Sequence, residues 1–203
     1  MKIFAVGWNY PLHNKELKHN EVSAPTIFMK PDTALLRNNK PFYIPDFSSE
    51  IHYETEVVLR ICKLGKNIAE QFAPRYYDAV GLGIDFTARD LQNRQKKVGG
   101  PWEISKAFDN SAVISEFIPI DMVQSATSLD FNLLLNGQEV QHGNTKDMIF
   151  SFNQIIAYIS QFFTLKMGDL IYTGTPEGVG TIAINDHLQG FLENKPMFDF
   201  YVK

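Results

Sequence analysis

The chain has 203 residues, 44% of them hydrophobic, with a formal net charge of −4 and a pI near 5.7. That balance argues against a nucleic-acid or anionic-membrane partner, and no apolar stretch approaches the roughly 20 residues of a membrane span. A lone cysteine, Cys62, excludes an internal disulfide and favours a cytoplasmic setting, and no linker, charge block or repeat breaks the sequence, so a single domain over 1–203 is expected.

Met1 to Gly7 is a short apolar run ended by glycine, which reads as a first strand rather than a signal segment. Ile27 to Lys30, before Pro31, is a second short strand. Glu54 to Ile61 predicts a strand, with Cys62 as a strand residue rather than a nucleophile. Ala79 to Phe86 predicts another, running into a helix from Thr87 to about Lys97 that Gly99-Gly100-Pro101 stops. Phe131 to Leu135, then Asn136-Gly137, then Gln138 to Gln141 form a hairpin signal. Ser151 can cap a helix whose Phe152, Ile155, Ile156, Ile159, Phe162 and Phe163 form a buried stripe. Asp169 to Thr173 predicts a strand entering the glycine-rich loop Thr173 to Gly180, and Met197 to Val202 a closing strand. Many strands and few helices, without regular βαβ alternation, predict an α+β, mainly β fold.

Glu54 and Glu56 are spaced to share one face of a strand that leads into Val57-Val58-Leu59. Two like charges there repel and resist an apolar surround. A hard divalent cation, Mg²⁺, Mn²⁺ or Ca²⁺, removes both objections; a solvated strand face is the plain alternative. Asp85 ends a glycine-bearing strand just before a helix, where it is either a third oxygen ligand or a helix cap. Arg89 and Asp90 read as an ion pair or capping contacts.

His13 and Glu16 stand at i, i+3, so the carboxylate can orient the imidazole as a general base for water; a solvated helical turn is the alternative. His19 and His187 have no such partner and read as surface residues. His52 faces the same side as the two glutamates and could support them, and His142 is ambiguous. Lys106 lies among apolar residues, where it either serves an anion or reaches out to solvent. The Thr173 to Gly180 loop offers hydroxyls and N–H groups to a substrate carboxylate. It lacks the Gly-Lys-Ser/Thr of a P-loop, and neither a Ser-His-Asp elbow nor a cysteine metal cluster is present.

Taken in order, the segments resemble the fumarylacetoacetate hydrolase superfamily, and within it the small acylpyruvase and oxaloacetate decarboxylase branch. The resemblance rests on Gly7 to Glu16 (G-x-N-Y-x-x-H-x-x-E), Phe28-Met29-Lys30-Pro31, Glu54-Thr55-Glu56 and Asp85 to Gln92 (D-x-T-A-R-D-x-Q). Lys106, Asn136-Gly137, Gln141, Thr145 to Met148 and the Thr-Gly-Thr-Pro-x-Gly-Val-Gly loop complete it. It implies a mixed β-sandwich roll, a catalytic domain without the extra N-terminal domain of larger relatives, and a homodimer. It implies Glu54, Glu56 and Asp85 as ligands of Mg²⁺ or Mn²⁺, with His13 and Glu16 as a water-activating dyad on a segment that orders as a lid over substrate. Lys106 becomes a catalytic group, and Gln92, Thr175, Gly174 and Lys30 become substrate-side groups. The implied activity is C–C bond cleavage of a small 2-oxo acid, by acylpyruvate hydrolysis or oxaloacetate decarboxylation. An isomerase or decarboxylase of aromatic-catabolism oxo-diacids, of the 2-hydroxyhepta-2,4-diene-1,7-dioate type, is the alternative enzyme. A non-catalytic dicarboxylate-binding metal protein is the alternative from another class. Trp8 departs from the pattern, standing where close relatives often carry arginine.

Overall fold

The structure, a computed structural model, describes residues 1–19, 22–123, 125 and 127–203. In chain order the first half contains β1 (Ile3–Gly7), α1 (Pro11–Glu16), β2 (Thr26–Lys30), β3 (Leu35–Leu36), β4 (Ile51–Tyr53), β5 (Thr55–Ile61), β6 (Tyr77–Asp85) and β7 (Thr87–Ala88). Then come α2 (Arg89–Val98), α3 (Glu103–Lys106), β8 (Ala112–Ile114), β9 (Ile118–Pro119), β10 (Asp130–Leu135) and β11 (Gln138–Asn144). The last elements are α4 (Phe152–Phe162), β12 (Leu170–Tyr172), β13 (Gly180–Thr181), β14 (His187–Leu192) and β15 (Lys195–Tyr201).

The main sheet runs β2-β1-β12-β5-β6-β8-β3, with β9 beside β6. It is mixed: β1 lies parallel to β12 and β3 parallel to β8, while the other pairs are antiparallel. Strands covered on both faces carry near-continuous apolar runs, and β5 and β6 do so through Val57 to Leu59 and Val80, Leu82 and Ile84. Alternation still sorts the two faces. Ile3, Ala5, Val58 and Tyr172 enter a smaller cluster, whereas Phe4, Val6, Val57 and Leu59 enter the main core. A four-stranded sheet, β11-β10-β14-β15, buries one face through Phe131, Leu133, Leu188 and Phe200, and its other face alternates with half-buried and exposed residues. A third sheet, β13-β4-β7, is small and borders the site. The mainly β, α+β architecture expected from the sequence is thus present.

Individual elements follow their local chemistry. Asn136 and Gly137, at φ 53° and 80°, supply the two left-handed residues of the hairpin joining β10 to β11. Ser151 and Gln154 form a reciprocal capping box at the start of α4. The α4 stripe is shorter than predicted. Ile155, Ile156 and Ile159 are fully buried, but Phe162 and Phe163 are 59% and 37% exposed. Phe162, the last helical residue, packs on Tyr158 at the surface, and Phe163, already extended, meets the buried Phe4 ring while staying partly exposed.

Candidate active site

Neighbouring strands bring the three carboxylates together. β5 and β6 pair antiparallel, with Glu56 opposite Gly83. Glu54 occupies the one-residue break between β4 and β5, and its carbonyl accepts the Asp85 N–H at 2.8 Å. One oxygen from each of Glu54, Glu56 and Asp85 lies within 4.8 Å of the others, and all three residues are buried. The predicted Glu54–Ile61 strand is therefore interrupted at its first residue, and the carboxylates converge all the same.

Three buried cations face this cluster. The Lys106 Nζ lies 2.7 Å from both Glu54 Oε2 and Asp85 Oδ2, so its anions belong to the protein and it does not reach solvent. The Lys30 Nζ lies 2.7 Å from Asp85 Oδ1 and also donates to Ser111 Oγ and the Lys106 carbonyl. Arg89 pairs through Nη2 with Glu54 and donates through Nη1 to Gln92 Oε1 at 2.6 Å. Behind it, His52 Nδ1 lies 3.4 Å from Arg89 Nε, which places the histidine one contact removed from the cluster.

Charge and burial pull these groups in different directions. Burial alone would raise the Glu54 carboxyl, but the Lys106 and Arg89 cations outweigh it and hold it well below the usual carboxylate range. Burial opposes the charge on Lys106, and Asp85 with Glu54 overcomes that and raises its pKa. Lys30 is lowered by burial despite Asp85. Glu56 differs from both other carboxylates. Its Oε2 accepts the Gly174 N–H at 2.6 Å, and no cation pairs with it among the described residues. Burial, then Asp85 and Glu54, push its carboxyl well above the ordinary range. An all-oxygen set with one carboxylate lacking a cation of its own fits a hard divalent ion.

The dyad sits above this floor. His13, on α1, is buried, and its Nδ1 lies 3.5 Å from Glu16 Oε2. Burial lowers the imidazole pKa, with Glu54 opposing and Arg89 reinforcing, so the neutral ring is favoured. Glu16 also accepts the Gly178 N–H at 3.2 and 3.3 Å, tying α1 to the glycine-rich loop. Gly174 in that loop needs its lack of a side chain. It holds φ 106°, and a Cβ there would lie 2.7 Å from the Cβ of Asn9.

A cleft opens onto the carboxylates, walled by Trp8, Phe28 and Trp102 and reached by His13, Gln92 and Thr175. Lys30 and Gly174 do not line it. Lys30 props Asp85 from behind, and Gly174 holds Glu56. A larger apolar groove beside Phe47, Ile104 and Phe108 carries no comparable polar convergence. His187 and His19 are not unpartnered. The first lies 2.6 Å from Asp199 and stacks on Tyr201, and the second stacks on Trp8. His142 is an exposed partner of Asp130 and takes no part in the site.

Sequence reasoning left the roles of two supports, Asn9 and Gln141, unassigned and did not name the partner of a third, Arg89. The Asn9 Oδ1 accepts the Phe150 N–H, and its Nδ2 donates to the Thr173 carbonyl at 2.7 Å, clasping the first strand's exit to the loop. Gln141 accepts from Thr55 N–H and donates to Thr175 Oγ1. Arg89 is the predicted ion pair, but its partner is Glu54, inside the cluster. Asn9, Arg89 and Gln141 all fall within the motif segments, which was the available signal.

Comparison with known proteins agrees with this arrangement. Residues 2–199 match the family described as fumarylacetoacetate (FAA) hydrolase C-terminal. The chain belongs to that family. A mitochondrial oxaloacetate tautomerase of Mus musculus is 39% identical over 201 residues, covering 99% of this chain and 91% of that protein. A mitochondrial oxaloacetate decarboxylase of Dictyostelium discoideum is 42% identical over 182 residues, 89% of this chain and 84% of the other. The crystal structure of fumarylpyruvate hydrolase from Pseudomonas aeruginosa in complex with Mn²⁺ and pyruvate matches with a TM-score of 0.95 at 33% identity, covering 100% of this chain and 89% of that one. Among the described residues, no helix is long and apolar enough to cross a membrane.

Proposed function

We propose that this chain is a divalent-metal-dependent enzyme, one catalytic domain per chain, that acts on C–C bonds of small 2-oxo acids. The observation that carries it is the buried Glu54, Glu56 and Asp85 cluster opening into a cleft beside a buried histidine. Mg²⁺ or Mn²⁺ would be held by those three carboxylates and would act as a Lewis acid toward the 1-carboxylate and 2-oxo oxygens of the substrate. The Mn²⁺ and pyruvate in the Pseudomonas relative support that choice of metal and ligand.

The chain's own residues supply the rest. Neutral His13 takes a proton from water, Glu16 balances the imidazolium that forms, and the resulting hydroxide adds to the distal carbonyl of an acylpyruvate. The C–C bond then breaks, the acyl part leaves as a carboxylic acid, the bond's electron pair leaves with the enolate of pyruvate, and the enolate carbon takes the proton held by the His13 imidazolium. The Lys106 ammonium, beside Glu54 and Asp85, offers positive charge to the enolate. Loss of CO₂ from oxaloacetate yields the same enolate without attacking water.

The tautomerase relatives point to a second reading that the sequence had not suggested. In keto–enol exchange of oxaloacetate, a C3 proton leaves and the oxygen gains one, with no bond between carbons broken. All three reactions share an enolate next to a carboxylate, which is the charge this cleft is built to receive. A homodimer belongs to the proposal, and light scattering is expected to return twice the chain's 23.1 kDa.

The test is a panel of acylpyruvates and oxaloacetate assayed with Mg²⁺ or Mn²⁺ and again after chelation. Metal-dependent turnover of at least one is expected. Metal-dependent binding without any turnover would instead identify a dicarboxylate-binding protein, and neither binding nor turnover would refute the reading.

A further inference from the structure

Three of the positive groups around the cleft are already committed: Lys106 and Arg89 to Glu54, and Lys30 to Asp85. Lys96 is different. It projects from α2 on the turns after Arg89 and Gln92, at a spacing that puts all three on one helical face. Its Nζ lies 4.4 Å from the ring centroid of Trp8 and 5.7 Å from that of Trp102. Both rings are walls of the cleft over the carboxylates. Among the described residues, no carboxylate lies within ion-pair distance of this ammonium.

The platform beneath Lys96 is fixed. Trp8 holds φ 65°, a left-handed conformation that is uncommon for a bulky residue and persists only where its surroundings impose it. Asn14 Nδ2 donates to the Trp8 carbonyl at 3.0 Å, Trp102 meets the Trp8 ring edge-on at 6.0 Å, and His19 stacks on it at 3.9 Å. Phe28 packs in turn on Trp102 at 5.8 Å.

We propose that Lys96, held over the Trp8 and Trp102 rings at the rim of the cleft, receives the second carboxylate of a dicarboxylic 2-oxo acid. The inference rests on the reading of the site as a 2-oxo-acid enzyme and adds the group that selects a diacid over a monoacid. The first carboxylate and the oxo group take the floor, where the buried cluster lies. The far end of a four-carbon diacid then points out between the tryptophans, toward the cation that has no ion-pair partner among the described residues. The ring faces stabilise an ammonium without neutralising it, so its charge stays available. Burial, with Arg89 and Lys106 nearby, lowers the Lys96 pKa to about 8, against the pull of Glu54. A docked carboxylate relieves that strain on the charged form.

The two tryptophans that flank Lys96 are the only ones in the chain, so fluorescence under tryptophan-selective excitation reports on this place alone. The experiment measures quenching on rapid mixing of Mg²⁺-loaded protein with pyruvate and with oxaloacetate, before turnover, in wild type, Lys96→Met and Lys96→Arg. Steady-state kcat and KM for oxaloacetate accompany it. Lys96→Met is expected to weaken oxaloacetate about tenfold or more, the size of a lost charge-assisted hydrogen bond, with the loss in KM rather than kcat. Its effect on pyruvate stays below about twofold, and Lys96→Arg recovers most of the oxaloacetate affinity. Equal weakening of both acids, or of neither, would overturn the proposal and leave Lys96 as packing for the tryptophans. If wild type binds neither acid with Mg²⁺ present, the functional reading fails and this inference falls with it.

Discussion

Glu56→Gln separates metal binding from folding more cleanly than a change at either other carboxylate. Removing Glu54 strands buried Arg89, removing Asp85 strands buried Lys30, and either change takes one of its two carboxylates from Lys106. An uncompensated buried charge of that kind costs roughly 3–5 kcal/mol. Glu56 has only the Gly174 N–H as partner, and a glutamine oxygen accepts it equally well. One of three converging negative charges disappears and no cation is orphaned, so the metal-free variant is expected to melt at or above the wild-type temperature. A divalent ion at about 100 times its dissociation constant stabilises the native state by about 2.7 kcal/mol. For a chain of this length each kcal/mol raises Tm by roughly 2–4 °C, which gives a wild-type shift of roughly 5–11 °C. With one ligand missing, Glu56→Gln should shift by less than about 2 °C at the same ion concentration. Thermal melts of chelator-stripped protein, titrated with Mg²⁺ or Mn²⁺ and followed by circular dichroism, make the comparison. Equal shifts in the two proteins, or none in wild type at millimolar ion, would refute the metal-cluster argument.

His13→Ala is expected to lower acylpyruvate hydrolysis by about 10²–10⁴, and oxaloacetate decarboxylation, which needs no attacking water, by much less; initial rates at saturating metal decide it. The depressed pKa of His13 sets a pH signature. The neutral base persists as pH falls below its ordinary value of 6.5, and hydrolysis declines only at lower pH, through the folded-state pKa. The same residue contributes stability that is present above about 6.5 and lost as pH falls, because the unfolded chain binds the proton first, so His13→Gln should lose less Tm than wild type on acidification. In the core, the buried Tyr172 hydroxyl donates to the Val113 carbonyl at 2.6 Å. Tyr172→Phe removes that hydrogen bond while keeping the ring and should cost about 0.5–1.5 kcal/mol in denaturant unfolding, with the metal-induced shift unchanged.

Much of the site was legible because its chemistry is written in short segments. A pair of glutamates before an apolar run, and an aspartate after a glycine-bearing one, converge once β5 and β6 pair in the register that opposes Glu56 to Gly83. Hairpin and capping signals at Asn136-Gly137 and Ser151 acted within a few residues and were equally plain. What the sequence hid depends on direction and distance. Lys30 and Lys106 stand 76 residues apart, yet one donates to the other's carbonyl beneath Asp85, so neither could be told from a solvated lysine. Phe162 and Phe163 fit a helical stripe until the helix ends. The sequence placed Lys96 only within the helix from Thr87 to about Lys97, and the tertiary placement of Trp8 and Trp102 is what brings it against the walls of the cleft.

The clasp at Asn9 has a consequence in time. Asn9 bonds to Phe150 and Thr173, 141 and 164 positions further on, and β1 lies parallel to β12 rather than beside a sequence neighbour alone. On the ribosome, the segment bearing His13 is made well before β12, and the contacts of Asn9 with Phe150 and Thr173 wait until those residues emerge. At about 5–20 residues per second that wait is on the order of ten to thirty seconds. During it, β1 has β2 along one edge and lacks β12 along the other. The centre therefore takes its complete form only after β12 is made, and Asn9 is among the last of its supports to gain its partners.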